Sequence, residues 1–241
     1  PNIDKLAKNG LLMEKAFLTS PQCSPSRTSM LTGRFAHTIG TEDLHHTEMS
    51  DTLKTLPGEL KKAGYFTGVM LKEHFGRHVA KDFMYHDNGF RPDYVEGKWN
   101  EKAISNFRDF LDEAGDRPFF MWLGFVDPHR PFKDKPNAAP QVHDPSDIKN
   151  VPPYLADNKT TKADLAAYYD EIHRMDAHIG QMVGELEKRG RTENTVVIFI
   201  SDNGYAFPRG KGTLYDSGIQ TPMVIQREGK IEPGSVYKEM V

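Results

Sequence analysis

Hydrophobic positions along the 241-residue chain fall into two patterns: short continuous apolar runs, and longer stretches with apolar residues at three- and four-residue steps. Runs of the first kind cover Tyr65 to Leu71, Pro118 to Val126 and Thr195 to Ile200. Turn-forming residues bound each run, as expected of strands buried on both faces of a parallel sheet. Helical patterns lie between them. Leu53 to Ala63 ends at Gly64, and Asn100 to Ala114 sets Ala103, Ile104, Phe107, Phe110 and Leu111 on one stripe before Gly115. The longest pattern runs from about Lys162 to Arg189 and carries Leu165, Tyr168, Ile172, Met175, Ile179, Met182 and Leu186. Thr161 and Asp164 make a capping-box-like start for it and Gly190 supplies the stop. Strand and helix alternate, which predicts an α/β sheet. A further strand is expected at Ser235 to Val241.

From Lys133 to Thr160 the periodicity disappears among prolines, Asp and Asn. A loop of that length inside a compact domain is read as a cover over one edge of the sheet, with a variable surface insertion as the alternative. No repeat or low-complexity tract occurs.

Apolar residues make up 37% of the chain, enough with its glycines to bury a core and exclude a disordered or fibrous protein. The formal charge of −3 excludes a surface of one sign and argues against whole-surface nucleic-acid binding. No window approaches 18 consecutive apolar residues, so no membrane span is expected. The single cysteine can form no internal disulfide. The chain starts at Pro1 without a basic or apolar leader, and both ends read as trimmed from something longer.

Chemistry gathers after the three runs. Lys72 and His74 follow the first, Asp127, Pro128 and His129 the second, and Ser201, Asp202, Asn203 and Gly204 the third. In open α/β sheets ligands bind outside the carboxyl ends of strands. Any one of these groups alone reads as a turn or loop residue; three at one edge read as a site. Asp and Asn oxygens suit calcium or magnesium, while lysine and histidine suit an anionic substrate. HExxH, paired CxxC, GxGxxG and GxxxxGK[ST] are all absent, which argues against zinc, dinucleotide and P-loop chemistry. His45 and His46 read as a solvated loop, and His173, Asp176 and His178 as part of an ordinary charged helix face. Trp99 and Trp122 are candidates to stack a sugar, with Trp122 placed for packing inside its strand.

Pro21 to Arg34 carries the sharpest signal. Ser24 is a good N-cap, Pro25 a favoured first helical residue and Gly33 a suitable stop, so a short helix is expected just after Cys23. That sets Cys23 at the positive end of a helix, where negative charge is stabilised, with Arg27 one turn on. The Cys-x3-Arg spacing is too short for a Cys-x5-Arg phosphatase loop.

Cys23-Ser24-Pro25-Ser26-Arg27 followed by Leu31-Thr32-Gly33-Arg34 resembles the CxPxR…LTGR signature of the type I sulfatases, in the alkaline phosphatase superfamily. Pro1-Asn2-Ile3-Asp4, Lys72-Glu73-His74, Asp127-Pro128-His129-Arg130-Pro131, Ser201-Asp202-Asn203-Gly204 and Lys211 to Asp216 resemble further family segments in the same order. Within the family, Phe125 to Arg130, Ala163 to Tyr168, Arg174-Met175-Asp176 and Phe207-Pro208 look most like the heparan N-sulfatase (sulfamidase) branch. Glu73 stands where the family has an aromatic residue. The resemblance implies an alkaline-phosphatase-like sandwich with a central, mostly parallel sheet flanked by helices. It places the family's Asp-Asp metal-ligand pair ahead of Pro1 and its smaller C-terminal subdomain beyond Val241, so residues 1–241 are a partial catalytic domain.

The resemblance also implies roles. Cys23 is oxidised to formylglycine by a sulfatase-maturing enzyme, and the aldehyde hydrate is the nucleophile. Arg27 steadies it, Lys72 and Lys211 neutralise sulfuryl oxygens, His129 protonates the leaving atom and His74 removes the second hydroxyl proton. Asp202, Asn203 and position 23 hold calcium, with magnesium as the alternative. The implied substrate is a sulfated sugar or aryl sulfate, and the implied location is periplasmic, secreted or lysosomal. Two other readings stay open: a phosphomonoesterase or phosphodiesterase of the same superfamily, and an inert chain that binds anionic glycans.

Overall fold

The computed structural model describes residues 1–41, 49–50, 52–75, 77–87, 99–132 and 139–241. The elements in chain order are α1 (Asn2–Lys8), β1 (Leu11–Phe17), α2 (Cys23–Thr32), α3 (Leu56–Lys62), β2 (Phe66–Leu71), α4 (Arg77–Ala80) and β3 (Tyr85–His86), then α5 (Trp99–Ala114), β4 (Phe119–Gly124), α6 (Lys159–Lys188), β5 (Val197–Ile200), α7 (Asp216–Ile219), β6 (Gln220–Gln226) and β7 (Ser235–Met240). The fold is the expected α/β arrangement, and three of the five strand pairings among the described residues are parallel.

The strands form two sheets. In the first, β2 lies between β3 and β4, all parallel, and Phe66 to Leu71 run in step with Phe119 to Gly124. Every residue of β2 is buried, as its unbroken apolar sequence demands. Phe66, Met70 and Leu71 pack with Ala103, Ile104, Phe107, Phe110 and Leu111 of α5 and with Met182 and Leu186 of α6, so the apolar stripes of both helices cover this sheet. The second sheet has the order β5-β6-β1-β7, with β6 antiparallel to both β5 and β1, and β7 parallel to β1.

Here the structure departs from the sequence expectation for the third run. Instead of pairing beside β2 and β4, β5 pairs antiparallel with β6. Among the described residues β4 and β5 are both edge strands, and both line a cavity of about 1970 Å3. Val196 and Ile198 are 50% and 55% exposed, so this run is not buried on both faces. The strands β1 and β6 carry mixed polar and apolar sequence, which left them without a strand signal.

Helix α6 starts three residues earlier than its apolar pattern, because Asn158 caps it by accepting the Thr161 N–H at 2.9 Å. Thr161 and Asp164 therefore lie inside the first turns and form no capping box. Asp176 and His178 are buried rather than solvated. Asp176 accepts the backbone N–H groups of Asn2 and Ile3, satisfying the open N-terminus of α1. The described part of the expected cover loop, from residue 139 on, lies against α6: Ile148 packs with Leu165, Ala166, Phe132 and Phe207, and Asp170 accepts the N–H groups of Val142 and His143. Residues 133–138, His45, His46 and the Trp99 side chain fall outside what the structure describes. Trp122 packs edge-on to Phe75, as a strand residue should.

Candidate active site

The site is built around the first turn of α2. The helix begins at Cys23 itself, with Gln22 as the capping position and Gly33 closing it in the left-handed conformation, φ 65°. Ser24 is thus a helical residue and not the N-cap; its hydroxyl is buried and meets no hydrogen-bond partner among the described residues. Small side chains at Ser24, Ser26, Thr28 and Ser29 let the helix be enclosed on nearly all sides. Cys23 is 3% exposed, at the end where unpaired backbone N–H groups favour negative charge.

Four side chains converge on its sulfur. Lys211 Nζ lies 2.9 Å from Sγ and Lys72 Nζ 3.5 Å; the thiol donates to Asn203 Oδ1 at 3.4 Å, and His74 is hydrogen-bonded to it. Burial pushes the thiol up, and Asp202 does the same. The His74 hydrogen bond, the Lys72 charge and the Lys211 hydrogen bond outweigh both, leaving its pKa at about 6. Burial in turn holds the Lys72 ammonium below the usual lysine range.

Arg27 joins the separate chain segments. Its Nε donates to Asp202 Oδ2 at 2.6 Å in a buried ion pair, while Nη1 donates to the carbonyl oxygens of Lys72 and Glu73. One guanidinium thus ties α2 to the ends of β2 and β5. Burial would raise the Asp202 carboxyl, but Arg27, Lys72 and Lys211 hold it below the usual carboxylate range.

The segment after β2 has an unusual backbone. Leu71 and His74 have φ of 66° and 43°, the left-handed region that branched and bulky residues avoid. Lys72 N donates to Gly124 O at 2.7 Å, and Asp87, pushed up to about 6 by burial, accepts the Leu71 N–H. Gly124 must be glycine: a Cβ there would sit 2.0 Å from the Lys72 carbonyl oxygen. The close approach turns Lys72 and His74 toward Cys23.

His129 lines the same cavity as Cys23, Arg27, Lys72, Asp202, Asn203 and Lys211. Its backbone N–H donates to Glu171 Oε2 at 2.8 Å and its Nδ1 lies 2.7 Å from the Arg130 carbonyl oxygen. A carbonyl only accepts, so Nδ1 carries a proton and Nε2 is the nitrogen left for proton exchange. Behind it Asp127 and Arg174 form a two-pronged buried pair, with both contacts at 2.7 Å.

The sequence-derived residues Cys23, Arg27, Lys72, His74, Asp202, Asn203 and Lys211 therefore form one bonded cluster, and His129 shares its cavity. The sequence reading missed Glu171, which looked like an ordinary polar position on a long helix; Arg174 entered it only as part of a segment of family likeness, without its pairing to Asp127.

A family model described as Sulfatase matches residues 1–241. The chain belongs to the sulfatase family. Membership implies a formylglycine and a divalent metal in general terms. This sulfatase chain is 36% identical to N-sulphoglucosamine sulphohydrolase of Homo sapiens, over 93% of its own length and 50% of that protein. It is 26% identical to an ulvan-active sulfatase of Formosa agariphila, over 96% of its length and 44% of that protein. The chain thus spans about half the length of these curated relatives. A solved phosphonate monoester hydrolase from Silicibacter pomeroyi shares its fold with a TM-score of 0.79 at 16% identity, covering 99% of this chain and 65% of that one.

The described residues supply only part of a metal site. Among them, no group of three or more His, Cys, Asp or Glu could hold an ion. Asp202 and Asn203 offer hard oxygens, yet calcium takes six to eight and Asp202 is already engaged by Arg27. The donors among the described residues do not make a complete site.

Proposed function

We propose that the chain is the partial catalytic domain of a sulfatase that hydrolyses sulfate esters or N-sulfate groups on sulfated sugars. The observation that carries this reading is the seat of Cys23: buried, at the start of α2, with two ammonium groups and an imidazole aimed at its sulfur. A tetrahedral sulfate oxyanion needs such a seat. When position 23 is a formylglycine, made by a sulfatase-maturing enzyme, its hydrate supplies an oxygen nucleophile and a route for sulfate to leave.

The chain's own residues then divide the work. Lys72 and Lys211 neutralise sulfuryl oxygens, and Arg27 with the end of α2 steadies charge at position 23. His129, as the imidazolium, gives the proton on Nε2 to the departing oxygen or nitrogen and keeps the one on Nδ1, and His74 takes the proton that frees sulfate. Asp202 and Asn203 would supply two oxygens to calcium, or magnesium, as a Lewis acid toward the sulfuryl group. The likeness to the human enzyme favours an N-sulfated glucosamine group as substrate.

The test is a substrate panel with the matured protein: N-sulfoglucosamine, an O-sulfated sugar, an aryl sulfate and the matching aryl phosphate. Sulfate release with little phosphate release is expected. Faster phosphate release would transfer the assignment to the phosphoesterase side of the superfamily, and turnover of none of the four would favour a glycan-binding chain.

A further inference from the structure

Glu171 sits in the middle of α6, where the polar pattern of the helix suggests a solvated face. It is instead 0% exposed. A carboxylate is buried only where hydrogen bonds compensate its lost hydration. Its Oε2 accepts the backbone N–H of His129 at 2.8 Å, a loop N–H outside any strand ladder.

Two further side chains of α6 hold the same short turn. Arg174, three residues on, takes Asp127 with both prongs at 2.7 Å, and Asp164 takes Arg130 at 3.1 and 2.5 Å. Arg130 also donates to the Ala206 carbonyl at 2.7 Å and lies over Phe132 and Phe207. Residues 127, 129 and 130 are thus each gripped by one side chain of a 30-residue helix. The Asp127 and Arg130 contacts hold the shoulders of the turn. Glu171 holds the backbone of the residue that carries the imidazole, and the Arg130 carbonyl oxygen fixes Nδ1 as a protonated ring nitrogen.

We propose that Glu171 is a positioning residue for His129, setting where Nε2 stands when it protonates the leaving atom. The inference rests on the sulfatase reading above. In that step the bond from sulfur to the leaving oxygen or nitrogen breaks, and its electron pair stays with the leaving atom. That atom takes the Nε2 proton of the His129 imidazolium, which is left as the neutral ring with Nδ1 still protonated, while sulfur is bonded by the nucleophile at position 23. A misplaced acid matters in proportion to how badly the leaving group needs a proton. A sugar alkoxide or amine needs it; an activated aryl oxide hardly does.

The experiment compares leaving groups. Sulfate release by matured wild type, Glu171→Ala and Glu171→Gln is measured on an N- or O-sulfated sugar and on 4-nitrophenyl sulfate. Glu171→Ala is expected to lower kcat on the sugar about a hundredfold, with the aryl sulfate kept within about threefold and KM little changed. Glu171→Gln keeps an acceptor for the His129 N–H and should restore most of the loss. Glu171→Met, which retains the volume, carries the same comparison if the alanine variant does not fold. An equal loss on both substrates would mark Glu171 as merely structural and overturn the proposal, as would an unchanged ratio. Failure of the wild type to release sulfate from either substrate would instead sink the sulfatase reading itself.

Discussion

The two walls of the site are held in different ways. Around Cys23 the groups point at one another: two lysines and a histidine face the sulfur, and Arg27 bridges Asp202 and the Lys72 carbonyl. Around His129 the holding contacts run to α6, through Asp127 with Arg174 and the His129 N–H with Glu171. The first wall is an electrostatic cradle whose charges meet the substrate. The second is a mechanical mount for one imidazole. A cradle tunes charge at the reacting atom, whereas a mount fixes distance, so substitutions in the two walls should differ in kind.

The largest contrast lies in the cradle. Cys23→Ala should lower sulfate release by more than about a thousandfold, because the nucleophile itself is removed. Undiminished release in an assay of the purified variant would break the assignment.

Next come the two buried ion pairs, one in each wall. Arg27→Ala leaves Asp202 buried without its partner and should cost about 3–5 kcal/mol of stability, measured by urea unfolding. Arg174→Ala strands Asp127, whose side chain is 1% exposed, and should cost about as much. The comparison sharpens in activity: the Arg27 variant should lose turnover on every substrate, the Arg174 variant mainly on poor leaving groups. The Asp202 carboxyl is depressed in the folded state, so its contribution is complete above the unfolded carboxylate range and is lost as pH falls through the folded pKa. Arg27→Ala should therefore flatten the acid limb of a stability-against-pH curve.

A smaller effect tests the cradle's charge without turnover. In unmodified protein, alkylation of Cys23 by iodoacetamide should rise with a midpoint near pH 6, where the thiol is held at about 6, and Lys72→Met should move the midpoint upward. A midpoint near the ordinary thiol value of about 8.5 would remove the cradle. The smallest effect concerns the helix that carries the mount. Asn158→Ala removes the cap of α6 and should cost about 1 kcal/mol, read as a shift in the urea midpoint, with little change in catalysis.

The two walls also differed in how well they could be read from the sequence. The cradle was visible because its residues sit in local contexts with their own meaning: a cysteine starting a helix, Arg27 one turn on, and Lys72, His74, Asp202 and Asn203 directly after apolar runs. Their convergence followed from topology once the runs were taken as strands. The holding contacts were not visible. Arg27 meets Asp202 across 175 positions and Glu171 meets His129 across 42, and no spacing rule reaches that far. Glu171 carries the same letter as any solvated helix residue, and only tertiary packing buries it. The fold shows the same division. The strongly apolar β2 and β4 were legible, whereas β1 and β6 were not, because their half-polar faces suit a mixed sheet as well as a loop. The run at β5 reads from sequence as a doubly buried parallel strand, yet it pairs antiparallel with β6, because an apolar run reports burial but says nothing about which neighbour supplies it.

The measurement that bears most directly on the central claim is peptide mass spectrometry of position 23, taken on the same preparations whose sulfate release is assayed. Preparations made with varying amounts of a sulfatase-maturing enzyme should show turnover rising in proportion to the aldehyde fraction at position 23 and vanishing with it. Full turnover from protein whose Cys23 is entirely thiol would contradict the account.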